Sequence, residues 1–132
     1  MREKLTNLLN NSYSPYSNFK VAAILVTKDG KEYCGVNVEN ASYGAAICAE
    51  RSAFVSAISN GEKKYNFDKL YIMTQNDEVS TCCFMCRQVI SEFMDSESEV
   101  ICMGQKEEKS FKVKELCPYP FNEEDLKWDQ VL

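Results

Sequence analysis

The sequence predicts an α/β fold, a three-layer α/β/α sandwich built on a mixed β-sheet. Three observations point there. Short apolar runs of strand length alternate with longer segments of helical rhythm. The 132 residues are 45% hydrophobic, which suits a single domain, 1–132, that buries a core without disulfide or metal staples. No repeat, linker or low-complexity stretch divides the chain.

The elements follow in order. An amphipathic helix is expected over about residues 2–11, with Arg2, Glu3 and Lys4 at its start. Two strands come next, near Phe19–Thr27 and Glu32–Val38, joined at Asp29-Gly30, a pair suited to a tight hairpin turn. The run Ala49–Ser59 repeats apolar residues at helical spacing. A strand at Leu70–Thr74, a helix from about Phe84 to Met94 and a strand near Val100–Met103 continue the alternation. A short extended stretch around Ser110–Val113 precedes a last turn of helix. There Asn122 suits the cap of a run opened by Glu123, Glu124 and Asp125.

The chain has seven cysteines and no histidine. Four of the cysteines fall in two segments, Cys48-Ala49-Glu50 and Cys82-Cys83-Phe84-Met85-Cys86. Cys83 and Cys86 are three apart, so a helix through them puts both sulfurs on one face. Cys48 offers a third sulfur from the start of the other helix, where backbone N–H groups lack partners. Two helix N-termini then converge on one ion, and the positive end of each macrodipole favours the thiolate. Structural zinc takes four protein ligands, whereas catalytic zinc keeps one position for water. Three thiols therefore read as a catalytic site. Glu50 diverges from Cys48 on a helix and is placed beside the water rather than on the metal. Three thiolates leave a divalent ion with a net negative core, and Arg51 is the nearest donor to a ligand sulfur that would offset it.

Charge and composition exclude other classes. A formal net charge of −5 argues against a nucleic-acid groove, which needs clustered Lys and Arg. No run of 18 apolar residues exists and no apolar signal core opens the chain, so a soluble, cytoplasmic protein is expected. An odd number of cysteines in such a chain suggests reduced thiols, with Cys34, Cys102 and Cys117 expected in the core.

In these residues the chain resembles the cytidine deaminases of the small homotetrameric type, whose zinc is held by three cysteines. The zinc deaminase signature places a first ligand two residues before a glutamate, followed later by P-C-x-x-C. Here the halves are Cys48-Ala49-Glu50-Arg51 and Cys83-Phe84-Met85-Cys86-Arg87-Gln88. The stretches Ser12–Phe19 and Gly35–Gly44 resemble the family's substrate loops, and Glu115–Phe121 resembles its C-terminal segment. Cys82 stands where the family has proline, and Phe84 where it has glycine, substitutions that bear on local geometry and pocket size. Ala22 stands where the family often has glycine.

The resemblance implies zinc-dependent hydrolytic deamination of cytidine and deoxycytidine, with one Zn2+ per subunit on Cys48, Cys83 and Cys86. Water attacks C4 of the pyrimidine while Glu50 handles the protons. The backbone of Ala49 and the carbonyl of Thr81 are the implied contacts to the base and its amino group. Asn37 and Glu39 are the implied ribose pair, since residues two apart on a strand end face the same side. Phe19, and Phe121 from another subunit, are the implied aromatic walls, in a homotetramer with shared active sites. Tyr13, Tyr16 and Tyr43 read as packing or pocket edge.

Other readings remain open at this point. Cys83-x-x-Cys86 alone would suit a redox motif but leaves Cys48-Ala49-Glu50 unexplained. Cys82 as a fourth ligand would close the metal to water and make a non-catalytic zinc-stabilised binding protein. Phe84 admits another aminopyrimidine nucleoside as the substrate.

Overall fold

The protein is described from a computed structural model, over residues 1–127. In chain order the elements are α1 (Arg2–Leu9), β1 (Val21–Thr27), β2 (Glu32–Val36), α2 (Ala49–Ser59), β3 (Phe67–Thr74), α3 (Phe84–Phe93), β4 (Glu99–Met103), β5 (Glu108–Lys112) and α4 (Val113–Leu116). Two 3₁₀ turns lie at Tyr43–Ala45 and Glu123–Leu126.

Successive side chains of a strand point to opposite faces, and here both faces are covered. Ala22 and Ile24 of β1, with Met73 of β3 and Met103 of β4, pack against Leu5 and Leu9 of α1. Their neighbours Ala23, Leu25, Leu70, Ile72, Val100 and Cys102 face the other way, onto Ala53, Phe54 and Ala57 of α2 and Cys86 and Ile90 of α3. The result is the expected three-layer sandwich. Its five strands run in the order β2-β1-β3-β4-β5. Only β3 and β4 pair in parallel, so the sheet is mixed, as expected. Phe54 stacks on Phe93 with ring centroids 5.7 Å apart and meets Phe67 edge-on at 5.5 Å, which ties α2 to α3 and to the sheet.

One close approach places α2. Gly35 of β2 lies directly beneath it, and Ser52 Oγ donates to the Val36 carbonyl at 3.0 Å. The strand that leads to Asn37 and Glu39 thus supports the helix that carries Glu50.

The element boundaries differ from expectation where side chains capture the backbone. The first strand begins at Val21 rather than Phe19, because the Phe19 carbonyl accepts from Asn37 Nδ2 at 2.7 Å and the Lys20 amide donates to Gln75 Oε1 at 3.1 Å. The second ends at Val36: the Asn37 amide still donates to the Val21 carbonyl of β1, but the Asn37 carbonyl accepts from the Tyr13 amide and Val38 pairs with Ile47 rather than with a strand. The last strand covers Glu108–Lys112, and Val113 opens α4, a helix the sequence reading missed. Asn122 does cap the final turn, its Oδ1 accepting from the Glu124 amide at 3.0 Å, but the turn is 3₁₀. Of the three spare cysteines, Cys102 is in the core as expected. Cys117 is only half-buried and Cys34 is exposed, because β2 is an edge strand whose Cys34 side α1 leaves open. Among the described residues no helix is long and apolar enough to cross a membrane.

Candidate active site

Both metal-binding segments enter at helix starts. Cys48 is the N-cap of α2 and Cys83 the N-cap of α3, each with extended backbone angles, and Cys86 sits in the first turn of α3. Neither cap side chain accepts a hydrogen bond from an amide of its own helix, so the first-turn amides of both helices lack a side-chain cap. The three sulfurs lie within 4.8 Å of one another, and Cys48 Sγ and Cys83 Sγ are 3.8 Å apart. A tetrahedral zinc with Zn–S distances of about 2.3 Å places its sulfurs about 3.8 Å apart, so this trio fits the ion.

The electrostatics agree with that fit. The Cys48 thiol is lowered to about 5, chiefly by its hydrogen bond with Cys86, with further help from Arg51 and Cys83 against the effect of burial. Arg51 Nη2 donates to Cys48 Sγ at 3.6 Å, a contact of the kind that offsets negative charge on a sulfur. Its Nε is buried without a partner among the described residues. Cys82 is different. It is buried in the same core cluster as Cys102 of β4, and that neighbour, with burial, holds its thiol well above the usual range. Cys82 therefore faces the core rather than the trio, and three ligands leave a fourth position free for water.

Glu50 is only 5% exposed, and burial pushes its carboxyl above the ordinary carboxylate range. It opens on a pocket of about 290 Å³ whose wall includes Phe19, Asn37, Glu39, Cys48, Ala49, Thr81 and Cys83. Cys86 lies behind that wall, buried. Phe121 is not in the wall. It is 57% exposed, and its backbone is held at both ends by Gln88, whose Nε2 donates to the Phe121 carbonyl at 2.6 Å while its Oε1 accepts from the Phe121 amide at 3.3 Å. A second hollow of about 300 Å³, between Tyr16 and Tyr43, adjoins the pocket through Ser17 and Glu39. Tyr13 is exposed, as are Tyr16 and Tyr43, which meet edge to face at 5.9 Å.

Asn37 and Glu39 are anchored by the Ser12–Phe19 loop. Asn37 donates to the Phe19 carbonyl and accepts from the Val21 amide at 2.9 Å and from Ser12 Oγ. Glu39 Oε1 accepts from the amides of Tyr16 and Ser17 at 2.9 and 3.1 Å, and Oε2 accepts from Ser17 Oγ. The Ser17 hydroxyl leads the effects that hold the Glu39 carboxyl below its usual range, so it is ionised at neutral pH. An amide has two donors and a carboxylate about four acceptor sites, so each side chain keeps capacity for a ligand hydroxyl. Sequence reasoning did not single out Ser12, Ser17, Arg87 or Gln88, nor the wall residues Ile72, Thr74 and Ser80. The two serines lay within a quoted loop, but their partners are set by the tertiary fold.

The family model of the cytidine and deoxycytidylate deaminase zinc-binding region matches residues 1–103. The chain is 40% identical to a probable cytidine deaminase of Dictyostelium discoideum, over 94% of this chain and 86% of that protein. It is 35% identical to the cytidine deaminase of Mycoplasma genitalium, over 86% of this chain and 87% of the relative. Among solved structures, a cytidine deaminase from Burkholderia pseudomallei superposes with a TM-score of 0.86 at 38% identity, covering 90% of this chain and 94% of the other.

Proposed function

The chain belongs to the cytidine and deoxycytidylate deaminase family, and we propose that Glu50, set above the thiols of Cys48, Cys83 and Cys86, runs its reaction. That reaction is the zinc-dependent hydrolysis of cytidine to uridine and ammonia, with deoxycytidine converted likewise to deoxyuridine, a step of pyrimidine salvage. The observation that carries the assignment is a buried carboxyl beside a metal-sized trio of sulfurs at the end of a nucleoside-sized pocket. Zinc held by the trio supplies Lewis-acid polarisation of water at neutral pH.

The chain's own groups do the rest. Glu50 takes a proton from the attacking water as its oxygen bonds to C4, and passes that proton to ring N3. It then shuttles the second proton to the departing amino group, so that the C4–N bond breaks with release of ammonia. A carboxyl raised by burial is suited to both halves of this cycle, because it holds a proton more readily than an exposed carboxylate and still returns it. The Ala49 backbone and the Thr81 carbonyl bind the base and its amino group, Asn37 and Glu39 bind the ribose hydroxyls, and Phe19 flanks the ring. Arg51, through Cys48, tempers the negative charge of the sulfurs.

The same reading makes the protein a single catalytic domain working as a homotetramer in the cytoplasm. Phe121 and Tyr119 are exposed aromatics on the C-terminal segment, and they support a wall that is completed by a neighbouring subunit. Thiol ligands and unpaired cysteines suit a reducing compartment. Gel filtration is expected to give the mass of four chains. Elution as a single chain with full activity would remove the shared wall. Turnover of cytidine by the zinc-loaded protein tests the activity itself.

A further inference from the structure

We propose that Arg87, covered by Phe84, is a positioning residue that fixes the Thr81–Cys82 wall of the reaction pocket; the inference rests on the deaminase reading of that pocket.

Arg87 lies on α3, one turn beyond Cys83, and takes no part in the pocket lining. Its guanidinium reaches back to the segment before the helix. Nε donates to the Cys82 carbonyl at 2.8 Å, and Nη2 donates to Thr81 Oγ1 at 2.8 Å. Nη1 donates to the Leu116 carbonyl at 3.1 Å, at the end of α4. Three nitrogens of one rigid fork thus hold three acceptors, two of them in the pocket wall immediately before the ligand Cys83. Lysine, a point charge on a flexible stem, cannot span them.

The wall needs such a restraint. The zinc deaminase signature carries proline before its second cysteine ligand, and proline fixes φ. Cys82 stands there in this chain and has no ring. The hydrogen bonds from Arg87 supply the missing restraint. Phe84 completes the arrangement. Its ring lies 4.3 Å from Arg87 Cζ, and the residue is 75% exposed, so it forms a lid over the guanidinium rather than part of the core. The ring attracts the cation and shields one of its faces from water, which strengthens the hydrogen bonds on the other side. A glycine at this position would leave that face wet. Arg87 therefore acts on the substrate only through Thr81 and Cys82, by keeping the acceptor for the amino group in place.

The test compares Arg87→Lys and Phe84→Leu with the parent protein. Readouts are zinc per chain, amide hydrogen exchange over residues 80–83, and steady-state kinetics on cytidine. Arg87→Lys is expected to keep its zinc, to exchange faster over 80–83, and to lose roughly tenfold to a hundredfold in kcat with KM within about threefold. Phe84→Leu, on an exposed site that the fold does not need, is expected to lose about twofold to fivefold in kcat. Unchanged exchange in Arg87→Lys overturns the proposal whether or not the protein turns over cytidine. So does a fall in kcat that only matches lost zinc. A parent protein that binds zinc and leaves cytidine untouched would sink the deaminase reading, and the exchange data would still judge the clamp.

Discussion

Gly35 of β2 and Ala49 of α2 meet backbone to backbone: a Cβ on the glycine would lie 2.4 Å from the Ala49 carbonyl oxygen. The contact matters because the strand beneath leads to Asn37 and Glu39, while the helix above begins at Cys48 and carries Glu50. Their spacing sets the distance between the Asn37–Glu39 end of the pocket and its Cys48–Glu50 end. Gly35→Ala must push the helix off the strand, and overpacking of this kind costs about 1–3 kcal/mol. Urea denaturation is expected to show a lower midpoint at unchanged slope, with cytidine turnover reduced in the folded variant.

Cys82 and Cys83 are neighbours with opposite duties. Cys83 joins the metal trio, while Cys82 turns to Cys102. Cys83→Ala is expected to lose zinc and all turnover. Cys82→Ala is expected to retain one zinc per chain by elemental analysis, with a modest loss of stability for the vacated core contact. Loss of zinc in Cys82→Ala would exchange the two roles.

Glu39 is ionised and held by the Tyr16 and Ser17 amides and the Ser17 hydroxyl. Removing its charge weakens this anchor and, if Glu39 binds the sugar as proposed, its bond to a ribose hydroxyl. Glu39→Gln is expected to raise KM for cytidine on the order of tenfold, with kcat changed less, as fits a contact made equally in ground and transition states. An unchanged KM would move the sugar elsewhere.

Glu97 provides a pH test away from the pocket. Hydrogen bonds from Lys112 and then Lys114 hold its carboxyl at about 2, tying the turn before β4 to the β5–α4 junction. A carboxyl lowered in the folded state binds fewer protons there than in the unfolded chain. Its contribution is therefore complete above the ordinary carboxylate range and is lost as pH falls towards 2. Glu97→Gln is expected to lower the thermal midpoint at pH 7 slightly, less so in high salt, and to match the parent near pH 2. A difference that persists at that pH would assign the effect to packing.

Local patterns made much of this legible in the sequence. The bounds of Ala49–Ser59 show in the sequence, because its apolar rhythm begins just after Cys48, the N-cap. The three thiols and Glu50 were legible because metal chemistry dictates residue type as well as spacing. The helix Val113–Leu116 was not. Four residues are too few to show a period, and its start is fixed by the Lys112 amide donating to Glu115 Oε1 at 2.9 Å. The clamp of Arg87 was equally hidden, since two of its acceptors are backbone carbonyls, which carry no mark in a sequence. The sharing of Phe121 between subunits came from family resemblance, and in the single chain its ring stands outside the pocket.

Glu50 is proposed to move the protons of cytidine hydrolysis beside a three-thiol zinc site. The most direct test is the conversion of cytidine to uridine by zinc-loaded protein and by Glu50→Gln, with zinc measured in both. Turnover is expected in the parent and a loss of at least a thousandfold in the variant, at unchanged zinc, as befits removal of the proton carrier. Comparable turnover in a zinc-replete Glu50→Gln would contradict that role.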